Sequence, residues 1–252
     1  MISCNNLTVK YGKHTVLDKI SLNAENGEIT VLLGKNGSGK TTLIRTLAGV
    51  QSKFDGEIFI DSKSIRQTDR KRLSRAVGIL PQNLQKPAIT VTDLVSMGRY
   101  PYTDAFSKLS AEDISAVERS IKTTGIEHLQ DKLVCHLSGG ERQLAYISTV
   151  IAQNTNNILL DEPTASLDIS YRKQFFEILN RLKNENKCVV LSMHSLAEAV
   201  KTADKIVFLD NKKIVFCGNT KEFISQRIRD KYFNVKTVEL TNADGISYYI
   251  FE

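Results

Sequence analysis

The sequence predicts an α/β domain built on a largely parallel sheet, and three observations carry that expectation. Short apolar runs with the length of buried strands recur at 29–33, 57–60, 76–80, 157–160, 187–191 and 205–209. Segments with helical spacing lie between several of them; Phe175, Ile178, Leu179 and Leu182 form one such stripe. The chain has 252 residues, 41% hydrophobic and 25% charged, which supports a sizeable core and excludes a disordered or collagenous chain. Strands alternating with helices are the pattern that covers both faces of a parallel sheet.

Taken in order, residues 2–9 and 15–22 alternate apolar with polar positions and predict antiparallel strands of a small separate sheet. The run at 29–33 predicts a buried strand, followed by a glycine-rich turn and a helix from about Lys40. Residues from about 88 to 152 differ, with helical patterns and few strand signals. Ser110 with Asp113 resembles a capping box, after which Ile114, Val117 and Ile121 recur on one face and Gly125 suits the helix end. Leu144, Ile147 and Ile151 make another face. The expectation is a single domain over 1–252 with a helical subdomain inserted at about 88–152. Two apolar runs flank Asp244-Gly245, a strong hairpin-turn pair, so 234–252 predicts a terminal hairpin.

No stretch approaches the roughly 18 apolar residues of a membrane helix. The first six residues have neither a basic nor an apolar leader region, which predicts a cytoplasmic protein. Cys4, Cys135, Cys188 and Cys217 fit no metal or redox spacing and predict reduced, mostly buried thiols. The net charge of +6 favours anionic partners. The densest basic run, Arg66 to Arg75, has no interleaved aromatics, so it predicts a solvated helix face rather than a nucleic-acid surface.

Gly34-Lys35-Asn36-Gly37-Ser38-Gly39-Lys40-Thr41 fits G-x-x-x-x-G-K-[ST] between a buried strand and a helix. The glycines let successive amides point at phosphate oxygens, and the helix N-terminus adds favourable partial charge. Lys40 then reaches the β- and γ-phosphates and the Thr41 hydroxyl can ligate Mg²⁺. A second, acidic element is needed for the metal, and the strand 157–160 ends in Asp161-Glu162. There Asp161 would hold the Mg²⁺ shell and Glu162 would polarise the attacking water.

Leu137-Ser138-Gly139-Gly140-Glu141-Arg142-Gln143 narrows the class. Here the sequence resembles the nucleotide-binding subunits of ABC transporters, whose signature is LSGGQ, with Glu141 in place of the usual glutamine. The resemblance covers roughly residues 2 to 224. It implies a P-loop ABC ATPase fold: a RecA-like parallel-sheet core, an N-terminal antiparallel β subdomain and an inserted helical subdomain. It implies ATP and Mg²⁺, with ATP held by Tyr11 against the adenine and by Gly34, Lys35, Asn36, Gly37, Ser38, Gly39, Lys40, Thr41 and Thr42 around the phosphates. Ser138, Gly139, Gly140 and Glu141 would close over the ATP of a second subunit, with Asp168 at the crossing loop, in a head-to-tail homodimer. Thr41, Gln82 and Asp161 would surround the metal; Glu162, His194, Gln82 and Lys40 would carry the hydrolysis.

Met97-Gly98-Arg99-Tyr100-Pro101, Asn154 and Leu167-Asp168-Ile169 resemble the importer branch for iron–siderophores, haem and cobalamin. His194-Ser195-Leu196 departs from that branch's usual His-Asp-Leu. Membership implies integral membrane permease subunits, a groove around residues 83–105 for one of their helices, a substrate-binding protein, and a position on the cytoplasmic face of the membrane. A soluble ABC ATPase of iron–sulfur cluster assembly is the alternative, since its signature also begins S-G-G-E. A nucleic-acid-linked ABC protein needs paired ATPase domains or a long coiled coil, for which 252 residues leave no room.

Overall fold

The structure, a computed structural model, describes residues 1–104, 108–233, 237–241 and 247–251. The chain opens with β1 (Ile2–Tyr11) and β2 (His14–Ala24), an antiparallel pair with Tyr11 opposite His14. Ile2, Cys4, Leu7 and Val9 are all buried, although 4 and 7 are not an even number apart. A register shift between Cys4 and Leu7, with Asn6 at φ +49°, accounts for the skipped position. β3 (Ile29–Gly34) is buried along its whole length and leads into α1 (Lys40–Leu47). β4 (Asp55–Ile60) and β5 (Lys63–Ser64) return to the first sheet, whose order is β2-β1-β4-β5. The basic run follows as a 3-10 turn, a cap at Asp69 and α2 (Arg70–Ala76), which buries none of its residues.

β6 (Val77–Leu80) precedes the helical segment: α3 (Val91–Ser96), a 3-10 turn over Met97–Arg99, α4 (Ala111–Thr123) and α5 (Gly139–Ala152). Both α4 and α5 open with complete capping boxes, Ser110 with Asp113 and Ser138 with Glu141. The predicted face of α4 needs one correction. Val117 and Ile121 are buried, but Ile114 is 48% exposed; the buried stripe runs through Asp113, Ala116, Val117, Ser120 and Ile121. Asp113 takes the inward position because Arg99 lies there to pair with it.

The chain then returns through β7 (Asn157–Leu160), α6 (Ile169–Asn184), β8 (Cys188–Ser192), α7 (Leu196–Thr202), β9 (Lys205–Asp210) and β10 (Lys213–Asn219). The central sheet has the order β10-β9-β3-β8-β7-β6, parallel from β9 to β6 with β10 antiparallel at one edge. β7 and β8 are wholly buried, as strands covered on both faces are. Phe175, Ile178, Leu179 and Leu182 of α6 pack on one face; Leu43, Ile44 and Leu47 of α1 share the other core with β1 and β2. The expected α/β fold with a separate antiparallel sheet is thus the fold observed.

α8 (Thr220–Ser225) and α9 (Ile228–Phe233) follow. β11 (Thr237–Thr241) and β12 (Ser247–Phe251) pair antiparallel, while the Asp244-Gly245 turn lies outside the described residues. The cysteine expectation holds for two thiols. Cys4 and Cys188 are buried, and burial pushes both up to about 11; Cys135 is half-buried and Cys217 is exposed.

Candidate functional site

The site forms where β3, β7 and β8 end side by side. Parallel strands release their chains at the same edge, so the loops after them converge. The loop after β3 curls into α1 with Gly39 as the N-cap at φ +103°. A Cβ at Gly39 would also stand 2.6 Å from Leu17 Cδ2, so both backbone conformation and space call for glycine. An open cleft of about 370 Å³ lies over this loop. It is lined by Val16, Asn36, Gly37, Ser38, Gly39, Lys40, Thr41, Thr42, Gln82, Glu162 and His194.

Lys40 is buried, and its Nζ donates to the carbonyls of Gly34 (2.8 Å) and Lys35 (3.2 Å). Burial lowers its pKa; Glu162 and Asp161 nearby act in the opposite direction. Ser38 Oγ is buried without a hydrogen-bond partner among the described residues. An unpaired hydroxyl and an amide-rich helix start in one cradle suit phosphate oxygens. A divalent metal fits the residues beside it as well. Thr41 Oγ1, which lines the cleft, donates to the buried Asp161 Oδ1 behind it at 3.2 Å, so two hard oxygen donors from different elements already meet beside the cleft.

The two acids after β7 are held differently. Asp161 is buried, its N–H donates to Leu80 O of the neighbouring strand, and its Oδ1 accepts from Ser192 Oγ at 2.7 Å. Glu162 turns sharply, with φ +51°. Its carboxylate takes Gln82 Nε2 at 2.8 Å on Oε2 and His194 Nε2 at 2.5 Å on Oε1. The left-handed turn therefore lets adjacent acids, which a strand would send to opposite faces, serve one site.

Of the expected site residues, Gly34, Lys35 and Asp161 lie beside this cleft without lining it, and Tyr11, Ser138, Gly139, Gly140, Glu141 and Asp168 do not line it either. Tyr11 is 49% exposed at the end of β1. Ser138 is exposed at the start of α5; its Oγ accepts from Glu141 N, and the Glu141 carboxylate accepts from Ser138 N at 2.8 Å. That backbone bond, ahead of the Ser138 hydroxyl, holds the Glu141 carboxyl below its ordinary pKa. Glutamine closes the same box, so the Glu141 variant keeps the helix start intact. A Cβ at Gly140 would meet the Tyr171 ring at 2.5 Å, and Ser166 Oγ donates to Gln143 Oε1 at 3.2 Å. Asp168 caps α6 by accepting from Tyr171 N at 2.9 Å. The signature helix and the Ser166–Asp168 loop are thus packed against each other.

A comparison with protein-family models matches residues 17–165 to the family described as ABC transporter. The chain belongs to the ABC transporter family, as an ATP-binding, ATP-hydrolysing subunit. It is 38% identical to the ferric enterobactin transport ATP-binding protein FepC of Escherichia coli over 91% of this chain and 86% of that protein. It is 35% identical to the petrobactin import ATP-binding protein YclP of Bacillus subtilis over 97% of each. Among solved structures, an inward-facing ABC transporter described as metal-chelate type superposes with a TM-score of 0.84 at 26% identity. That match covers 100% of this chain and 97% of the other. A dimeric bacterial ABC transporter cassette superposes with a TM-score of 0.76 at 26% identity, over 87% and 99%.

In this ABC subunit the departure at His194-Ser195-Leu196 has a structural explanation. Ser195 is the N-cap of α7, its side chain accepting from Glu198 N at 3.3 Å. Serine and aspartate cap helices about equally well, so the usual Asp is replaced without loss of the cap. Two residues of the site were not legible in the sequence. Val16 lines the cleft from β2, where it reads as an ordinary strand residue. Ser192 is the penultimate residue before His194 and wholly buried, and a serine closing an apolar strand gives no signal of its own.

Proposed function

We propose that two copies of this chain close head to tail over two MgATP, and that the motion drives import of an iron–siderophore complex through separate permease subunits. One observation carries the hydrolytic part. Glu162 stands at the mouth of the phosphate cradle, held by Gln82 from the loop after β6 and by His194 from the loop after β8.

In this reading the phosphates rest on the start of α1, and Lys40 exchanges the Gly34 and Lys35 carbonyls for β- and γ-phosphate oxygens. Thr41, Asp161 and Gln82 would hold Mg²⁺, which would neutralise charge at the phosphates. Glu162 orients the attacking water and takes its proton. The water oxygen bonds to the γ-phosphorus as the bond to the β–γ bridging oxygen breaks, giving ADP and phosphate. Lys40 and His194 stabilise the charge that develops. Tyr11 stacks on the adenine.

The open cleft leaves one side of the nucleotide uncovered. The exposed Ser138 with Gly139 and Gly140, which lie outside their own chain's cleft, supply that cover from the opposite copy. Ile169, 88% exposed beside Asp168, marks the same face as one that seeks apolar contact. No helix among the described residues is long and apolar enough to cross a membrane, so we assign the span to permease subunits. Met97 and Tyr100, 39% and 61% exposed on the turn after α3, support docking there. The named cargoes of the relatives, ferric enterobactin and petrobactin, support an iron–siderophore over haem or cobalamin. A substrate-binding protein delivering to the permease and a place on the cytoplasmic membrane face complete the proposal.

Glu162→Gln tests it. Turnover should fall by about a hundredfold or more, the usual scale for losing a general base. ATP affinity should persist, and the variant should sediment as a dimer in ATP. Wild-type turnover would remove Glu162 from the mechanism.

A further inference from the structure

We infer that Ser192 is a positioning residue that locks the metal-side and water-side carboxylates into one unit. The inference rests on the reading of Asp161 and Glu162 given above. Ser192 is the last residue of β8 and is 0% exposed. Its backbone is fixed by pairing with Leu32 of β3, and the next amide, Met193 N–H, donates to Leu32 O at 3.1 Å. Its hydroxyl does two things at once. It donates its single proton to Asp161 Oδ1 at 2.7 Å and accepts the Glu162 backbone N–H at 2.8 Å.

Each bond has a consequence. The acceptor bond ties down the amide of the residue that carries φ +51°, and that φ decides whether the Glu162 carboxylate reaches Gln82 and His194. The donor bond shares Asp161 Oδ1 with Thr41 Oγ1. When Thr41 turns its hydroxyl to a metal, Ser192 remains as the buried partner that keeps Asp161 in place. Outer partners of this kind fix a ligand's orientation, and losing one typically costs about 10–100-fold in metal affinity or activity. His194 lies two residues further along the same chain, so one strand end sets the Glu162 backbone through Ser192 and its carboxylate through His194.

The test compares Ser192→Ala and the near-isosteric Ser192→Cys with Ser192→Thr, which keeps the hydroxyl. In the alanine and cysteine variants kcat should fall about tenfold to a hundredfold. The Mg²⁺ concentration for half-maximal binding of a fluorescent ATP analogue should rise about tenfold. Binding of the same analogue in EDTA should not change, and threonine should restore the Mg²⁺ requirement. Wild-type turnover and Mg²⁺ requirement in the alanine and cysteine variants would overturn the inference. So would an equal loss of binding with and without Mg²⁺ in all three, which is the mark of a packing role. Glu162→Gln measured alongside separates the two levels. If that variant kept full turnover, the proposed mechanism would fail, while a shifted Mg²⁺ requirement in Ser192→Ala would still stand.

Discussion

Glu162 occupies a backbone conformation that costs a non-glycine residue on the order of 1 kcal/mol. The structure keeps it there with three contacts: its backbone N–H donates to Ser192 Oγ, Gln82 Nε2 donates to its carboxylate, and His194 Nε2 lies against the other carboxylate oxygen. The phosphate loop makes the opposite choice at Gly39, where φ is +103° and Leu17 leaves no room for a methyl group. Gly39→Ala should therefore misplace the start of α1 and weaken ATP binding at least about tenfold, which is about 1.4 kcal/mol. Lys40→Ala should weaken binding as well, because the pocket loses its buried cation; a titration with fluorescent ATP measures both. At this scale the glycines, Lys40, Thr41 and the paired acids were legible because each must be one particular residue type at one spacing. Ser192 was not, because a buried serine makes its contacts through the fold rather than through a pattern.

Among the elements, one capping box was readable, while those opening α3, α5 and α8 were not read from the sequence. Ser110 with Asp113 stands in the sequence as a four-residue pattern and forms as one. The face of α4 was misread at Ile114, because an apolar side chain at the right period does not reveal that Asp113 takes the buried position. Asp113 pays for that position with a partner: Arg99 Nε donates to it at 2.8 Å, Arg99 Nη1 donates to Ala152 O, and Tyr102 lies under the guanidinium at 4.0 Å. This joins the Met97–Arg99 turn, α4 and the end of α5. Arg99→Ala leaves a buried carboxylate without its counter-charge, held only by the Ser110 hydroxyl and amide, and should cost about 3 kcal/mol of unfolding free energy, measurable by urea titration. The pH dependence follows from the direction of the Asp113 shift. The Ser110 hydroxyl bond, then Arg99, holds its carboxyl below the ordinary carboxylate pKa. The unfolded chain thus takes up the proton first as pH falls. The stabilisation is complete above the unfolded carboxyl range and is lost as pH drops through the lower folded value. The Tm gap between the wild type and Asp113→Asn should be widest near neutrality and should narrow below about pH 4.

Across the whole molecule, three strand ends set side by side bring residues 34–42, 161–162 and 192–194 together, which no local pattern states. The parallel α/β class could be read from alternating apolar runs and helical stripes. The order of the central sheet could not, because it depends on which strands pair across gaps of over a hundred residues. The signature at the start of α5 and the Ser166–Asp168 loop are packed together through Gly139 against Ser166 and the Ser166–Gln143 hydrogen bond, yet stand apart from their own cleft. They make sense as the cover of a second copy's site. The most direct test of the account is affinity purification of the tagged protein from detergent-solubilised membranes of its own cells. A polytopic membrane protein recovered in stoichiometric amount is the predicted result. Recovery of a soluble cluster-assembly scaffold with no membrane protein would contradict the importer reading and leave only the ATPase chemistry standing.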